Sequence, residues 1–397
     1  MTNRSAPRAL LALAAVVAVV AGACSGPVLA NPAAERPIVT PAPTTEPRPA
    51  DPQPVALPRD DGPHDRLTEW WYYTGHLRAD DGTRLGFEYV VFRAERGGFP
   101  VSWASHLAVT DETGGRFHYA QRSEIGPQAD GSPRDATGEP TGFRFSVAGL
   151  DVTGATPPGS TPWTMSGSLG EDVLAAAATA RETGGDPVDG FGLELTLSPR
   201  KAPALHDTDG YIDFGVAGGS YYYSRTSMAA AGSVTLGDRT LAVQGDAWFD
   251  HQWGDFISVG GGGWDWFAVN LEDGTDLTVS LVRASDGSYP LIYGTLVAAD
   301  GTTRHLDRDA LSVEVTDTWT SPATAAAYPA GWTVRVPGEG LDIGLRPTVA
   351  QQELDTRATT GVVYWEGSQV VSATRDGEAV GGEAYVELTG YLDAGAP

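Results

Sequence analysis

Nine Asp-Gly dipeptides punctuate this 397-residue chain and constrain its fold more than any other feature. Tight hairpin turns favour Asp-Gly because glycine accepts the positive φ that such turns need. Asp81-Gly82, Asp273-Gly274, Asp300-Gly301 and Asp376-Gly377 lie between short runs that alternate apolar and polar residues. Such alternation marks antiparallel strands with one buried face. The Ala-rich stretch 171–181 is the one segment of helical composition, and it reads as a surface loop. Many short strands joined by regular turns predict an all-β sandwich or barrel.

An internal repeat divides the chain. Trp70-Trp-Tyr-Tyr-Thr-Gly-His-Leu77 precedes Asp81-Gly-Thr-Arg-Leu85, and Trp264-Asp-Trp-Phe-Ala-Val-Asn-Leu271 precedes Asp273-Gly-Thr-Asp-Leu277. The two differ by two residues in the turn. A repeat this long suits two related domains in tandem rather than a solenoid. The expected boundary follows the strand ending at Leu236, giving domains over 65–237 and 238–397.

The first residues read as an export signal. Arg4 and Arg8 precede an apolar run over 9–23, and the single cysteine, Cys24, ends it in Ala21-Gly-Ala-Cys24. The run is short for a membrane span, and its end resembles a bacterial lipobox, with Cys24 as the lipidated residue. Residues 1–24 are therefore expected to be a lipoprotein-type signal peptide. Residues 25–63 carry eleven of the 28 prolines. That composition predicts a disordered, extended tether over 25–64. Together these place the protein outside the cytoplasm, as an envelope lipoprotein on the periplasmic or extracellular face, or as a secreted protein. A net charge of −25, from 51 acidic and 26 basic residues, excludes nucleic acid as a partner. With one Cys there is no disulfide framework and no cysteine metal site. No metal and no cofactor is expected, and a monomer is.

The chemistry-bearing stretch is Gly245-Asp-Ala-Trp-Phe-Asp-His-Gln-Trp-Gly254. As a strand it points Phe249, His251 and Trp253 one way and Trp248, Asp250 and Gln252 the other. Trp264-Asp265-Trp266 follows as a second aromatic strand. In the first half, His106 shares a strand face with Ala104 and Ala108, which leaves room beside it. It is a cavity-wall residue or a buried histidine bonded to backbone. Ala204-Leu-His-Asp-Thr-Asp-Gly210 offers one His and two Asp, which capping of a polar loop explains better than a cation. Tyr221-Tyr-Tyr-Ser224 and Tyr364-Trp-Glu-Gly367 add aromatics, and Glu366 is a carboxylate expected to be partly buried, held structurally or kept protonated for use.

Glu69-Trp-Trp-Tyr72, Ser105-His106-Leu-Ala-Val-Thr-Asp111, Tyr222-Tyr-Ser224, residues 245–254, Trp264-Asp-Trp-Phe267, Tyr364-Trp-Glu-Gly367 and Tyr385-Val-Glu-Leu-Thr-Gly-Tyr391 together resemble the lipocalin-like family of AttH-type secreted proteins and carotenoid 1,2-hydratases. The resemblance spans 69–391 and implies two tandem lipocalin-like antiparallel β-barrels packed together. Its hydratase branch uses a His-x-Trp with a Tyr and an Asp from the neighbouring strand. His251-x-Trp253 matches, whereas Thr278 and Ser280 stand where the Tyr and the acid are sought.

Three readings follow. In the first, a buried acid protonates an apolar unsaturated substrate, isoprenoid or lipid-like, and drives hydration or rearrangement. Asp250 or Asp265 would donate the proton, Trp253, Trp264 and Trp266 would face the cation, and His251 would orient water. Trp70, Tyr72, His106, Tyr223, Trp264, Trp266 and Glu366 would line the ligand. The second reading is a non-catalytic carrier of the same apolar ligand, tethered to a membrane through Cys24. In the third, these motifs only lock two barrels together.

Overall fold

The computed structural model describes residues 50–149, 161–256 and 261–392. Cys24 and the expected signal lie outside the described residues. Among those residues there is no α-helix, and the strands form two antiparallel sheets.

The first sheet holds thirteen strands. They begin with β1 (Thr68–Ala79), β2 (Arg84–Ala94), β3 (Ser102–Asp111) and β4 (Arg116–Ile125). Next come β5 (Phe143–Val147), β6 (Trp163–Gly167), β7 (Asp172–Ala178), β8 (Gly184–Gly185) and β9 (Phe191–Pro199). The short β10 (Ala204–Leu205) and β11 (Tyr211–Asp213) precede the long β12 (Gly219–Leu236) and β13 (Arg239–Gly254). Their order is β5-β6-β7-β9-β12-β13-β1-β2-β3-β4-β8, with β10 and β11 on β12.

The second sheet opens with β14 (Gly261–Leu271), β15 (Asp276–Ala284), β16 (Leu291–Val297) and β17 (Thr303–Asp307). It continues with β18 (Ser312–Thr320), β19 (Ala327–Val336), β20 (Leu341–Pro347) and β21 (Glu353–Asp355). It closes with β22 (Val363–Arg375), β23 (Glu378–Val380) and β24 (Gly382–Thr389), in the order β17-β16-β15-β14-β24-β22-β20-β19-β18.

The turns behave as their residues dictate. Gly82, Gly274, Gly301 and Gly377 adopt φ of 87°, 85°, 85° and 86°, a region that an L side chain rarely occupies. The repeat is structural as well, because β1–β2 and β14–β15 are the matching hairpins of the two sheets. Each sheet curls over its own core. Trp71, Leu107, Phe145, Trp163 and Phe249 fill the first, and Phe267, Val279, Trp332 and Trp365 the second.

The outer faces of the two sheets meet in a seam packed by Tyr72, Val90, Trp248, Trp266, Ala268 and Tyr385. Gly86 on β2 permits this approach: a Cβ there would lie 2.8 Å from the Cβ of Ser368 on β22. Polar contacts also cross the seam, among them Thr110 to Gln352 at 2.7 Å and Thr226 to Asp276 at 2.6 Å.

Three expectations are corrected. β13, expected to open the second barrel, lies between β12 and β1 in the first sheet, so the division falls after Gly254 and not at residue 238. The pairing of β13 with both neighbours along its length fixes this, and no turn-based boundary reveals it. The Ala-rich stretch 171–181 holds β7, whose alternate residues Asp172, Leu174 and Ala176 are buried; cross-strand packing overrides helix propensity. Finally, the expected disordered tether is ordered over 50–64. Asp51 accepts hydrogen bonds from Arg66 at 2.6 and 2.7 Å and from the Tyr221 hydroxyl at 2.7 Å. A 3₁₀ turn at Arg59–Asp61 buries Asp61, which meets the Tyr223 hydroxyl and Arg225. Proline content set the expectation, while these carboxylates have tertiary partners that composition does not disclose.

Candidate functional site

Register builds the site. Across the first sheet, Ser224, Asp250, Tyr72, Val90, His106 and Gln121 are successive cross-strand partners, so their side chains stand in one row on the seam face. Across the second sheet, Tyr293, Ser280, Trp266, Glu387 and Glu366 form the matching row. The two rows are joined where the Tyr72 hydroxyl donates to Glu366 Oε1 at 2.5 Å and where the Trp266 indole N–H donates to the Tyr222 hydroxyl at 3.0 Å.

The carboxyls in this seam are far from ordinary. Glu88 and Glu366 are fully buried, and each keeps one oxygen, Oε2, with no hydrogen-bond partner among the described residues. Burial, then repulsion from Glu387, pushes the Glu88 carboxyl up to about 8. Burial, then Glu387 and Glu88, drives Glu366 well above the usual carboxylate range, although the Tyr72 hydrogen bond pulls it back. Glu387 is only half-buried, beside Trp264, and burial raises it to about 7. Removing a charge from water is costly, the like charges nearby add to that cost, and the tyrosine hydrogen bonds return only part of it, so the deep pair is neutral at neutral pH.

Asp250 closes one end of the seam. It accepts hydrogen bonds from Tyr222 at 2.5 Å, from the Trp248 indole at 2.6 Å and from Ser224, and burial raises it to about 6. His206 links Ser224 to Thr295 at 2.7 and 2.8 Å, which gives the 204–210 loop a structural bridge across the sheets. At the other end the Tyr364 hydroxyl sits between His106 Nδ1, at 2.8 Å, and Glu88 Oε1, at 3.2 Å. Burial lowers His106 to about 3, so it stays a neutral hydrogen-bond partner. The rim is aromatic: Trp70 and Trp264 face each other at 6.3 Å and 11°, with Phe92 and Phe256 beside Trp70.

A family model described as AttH-like matches residues 48–391. The chain belongs to the AttH-like family. A crystal structure of an AttH protein from Nitrosomonas europaea aligns at 30% identity and a TM-score of 0.69, covering 86% of this chain and 98% of that one. Kievitone hydratase from Nectria haematococca aligns at 15% identity and a TM-score of 0.60, over 86% of this chain and 94% of its own. CghA with Sch210972 follows at 13% identity and a TM-score of 0.54, over 83% and 90%. The latter two likenesses establish the fold. No curated protein matches by sequence.

The residues singled out from the sequence of this AttH-like chain fall in three places. Trp70, Tyr72, His106, Asp250, Trp264, Trp266 and Glu366 share the seam. His251, Trp253 and Tyr223 point into the first barrel, opposite Asp250, as alternation along β13 and β12 requires. Asp265 points into the second barrel. There it binds Arg283 at 3.1 Å and the Tyr391 hydroxyl at 2.9 Å, beside a cavity of about 120 Å³ lined by Leu281, Ile292 and Trp332. His251, Asp250 and Asp265 therefore cannot act on one substrate atom.

Four polar seam residues are not among the candidates chosen from the sequence: Glu88, Glu387, Tyr222 and Tyr364, although the last three stand inside motifs that carry the family resemblance. One signal was available, since Glu88 is the lone acid in the apolar run Phe87-Glu-Tyr-Val-Val-Phe92.

Proposed function

We propose that this AttH-like protein acts at the cell envelope, exported and tethered as its N-terminal sequence leads one to expect. There it would perform acid-catalysed hydration or rearrangement of an apolar unsaturated small molecule, isoprenoid or lipid-like, held in the seam. The observation that carries this reading is the buried carboxyl pair, Glu366 and Glu88, each with one unpartnered oxygen and with the other bonded to a tyrosine hydroxyl in the seam. A neutral carboxyl in a dry, aromatic setting is a proton donor suited to a C=C bond.

In the hydration case Glu366 gives its proton to one alkene carbon, and the positive charge develops on the other. The Trp266 and Tyr72 rings stabilise it by roughly 0.5–2 kcal/mol each. Water attacks the cation, and Glu387 on the adjacent strand takes the proton released from the new C–O(H)–H group. Proton return from Glu387 to Glu366 restores the pair. Environments that push two carboxyls apart assign their roles: the enclosed Glu366 is the acid and the half-buried Glu387 the base. The hydratase named among the structural neighbours supports the reaction class.

The test is turnover of acyclic terpenols and unsaturated fatty acids in ¹⁸O-labelled water, read by mass spectrometry. The expected result is one labelled oxygen per product or an isomer of the probe, with Glu366→Gln slower by about 10²–10⁴-fold. Glu366→Gln at wild-type rate would refute the assignment. A second reading rests on the parallel Trp70 and Trp264 rings, which can clasp an apolar ligand without chemistry. Recovery of every probe bound but unchanged would favour that carrier.

A further inference from the structure

We propose that His64, Glu69 and His251 form a binding site for a divalent first-row transition metal of the Zn²⁺ class, in the mouth of the first barrel and separate from the seam. His64 Nδ1, Glu69 Oε1 and His251 Nε2 all lie within 4.8 Å of one another. Glu69 Oε1 sits 2.7 Å from His64 Nδ1 and 3.0 Å from His251 Nε2. Bonds of about 2.0–2.2 Å to a metal place adjacent ligand atoms about 3–3.5 Å apart, so the two Glu69 contacts need to widen by only a few tenths of an ångström, while the two imidazole nitrogens, within 4.8 Å of each other, would settle to the same spacing. Two imidazoles and one carboxylate are a donor set that this class of ion favours, with at least one coordination position left open.

The surroundings hold these donors in place. The His64 ring lies flat on Trp253 at 4.2 Å and 1°, and the His251 ring on Trp71 at 4.6 Å and 24°. Glu69 is fixed by its second oxygen, which accepts the His64 backbone N–H at 2.9 Å. The other ring nitrogen of His64 lies 3.5 Å from Asp60 Oδ1, and Asp60 is itself held by the Ala56 N–H at 2.7 Å. A carboxylate behind a ligating histidine orients the ring and strengthens it as a ligand. Access is graded: the Glu69 and His251 side chains are 0% exposed and that of His64 is 20% exposed, so the open position faces the surface past His64.

Three chain segments contribute, namely the stretch preceding β1, β1 itself and β13. A bound ion would fasten the ordered 50–64 segment to the barrel. With no metal, Glu69 Oε1 is hydrogen-bonded directly to His64 Nδ1 and His251 Nε2. A metal would take the place of the protons shared in those contacts, and the two states are separable by experiment.

The whole chain, stripped with a chelator, would be titrated with Zn²⁺ and with Co²⁺. The expected result is one equivalent bound, visible d–d absorption from Co²⁺ and a rise in Tm with Zn²⁺. Glu69→Gln and His64→Ala should each abolish the stoichiometric uptake, and Asp60→Asn should weaken it about 10–100-fold. X-ray absorption at the zinc edge of the unsubstituted protein should show two imidazoles, a readout that requires no variant to fold. No stoichiometric uptake, uptake indifferent to both substitutions, or fewer than two imidazoles would each overturn the site. Glu366→Gln should leave uptake intact, so failure here and failure of the seam chemistry are distinguishable.

Discussion

Replacing Glu88 with Gln separates charge from shape at the centre of the seam. The Glu88 side chain is fully enclosed, and burial followed by Glu387 pushes its carboxyl up to about 8 from the reference value of 4.5. In the unfolded chain the group titrates at its ordinary value. Between these two values the folded protein holds a proton that the unfolded chain has released, so stability must fall as pH rises through this window. Each pH unit is worth about 1.4 kcal/mol per proton, which sets an upper bound of about 5 kcal/mol across the window. Gln carries no charge at any of these pH values, and its carbonyl can still accept from the Tyr364 hydroxyl, 3.2 Å away in the parent. Urea unfolding at about pH 4.5, 6 and 8 is the assay. Parent and variant should agree within about 1 kcal/mol at the lowest pH, and the variant should lead by roughly 2–5 kcal/mol at the highest. A difference that does not change with pH would refute the reasoning. It would mean that Glu88 ionises freely and that the seam is not dry.

Three further outcomes test other parts of the structure. Tyr72→Phe removes the 2.5 Å donor that draws the Glu366 carboxyl downward, so the alkaline limb of the pH–rate profile should move to higher pH; an unmoved limb would exclude Glu366 as the acid. Arg225→Met strands Asp61 and Asp172, now ion-paired to it at 2.5 and 2.8 Å, and should cost about 3–5 kcal/mol in urea unfolding near pH 8. Burial already raises Asp172 to about 6 against Arg225, and loss of Arg225 raises it further, so that penalty should shrink as pH falls from about 8 toward 6 and Asp172 of the variant takes up a proton. Gly86→Val drives a side chain into Ser368 and the Tyr385 ring, and should cost about 1–3 kcal/mol while speeding hydrogen exchange in β22.

The sequence by itself determined the local geometry. Asp-Gly turns placed the hairpins, the Trp-led repeat paired β1–β2 with β14–β15, and period-two alternation put His251 and Trp253 on the face opposite Asp250. Each is a property of a few neighbouring residues, fixed by backbone sterics and strand pleat. Only the tertiary structure decided what those faces cover. Alternation states that Asp250, Trp248 and Gln252 share a side, but not that this side meets Glu366 and Glu387 from a sheet more than 100 residues away. For the same reason local pattern does not place β13 in the first sheet, does not single out Tyr222, which meets Trp266 in the seam, from Tyr223, and does not mark Glu88 as one of a cluster of acids. The charge state of a buried carboxyl is decided by desolvation and by like charges around it. Both depend on which strands pack together, and that is written in no single stretch of the chain.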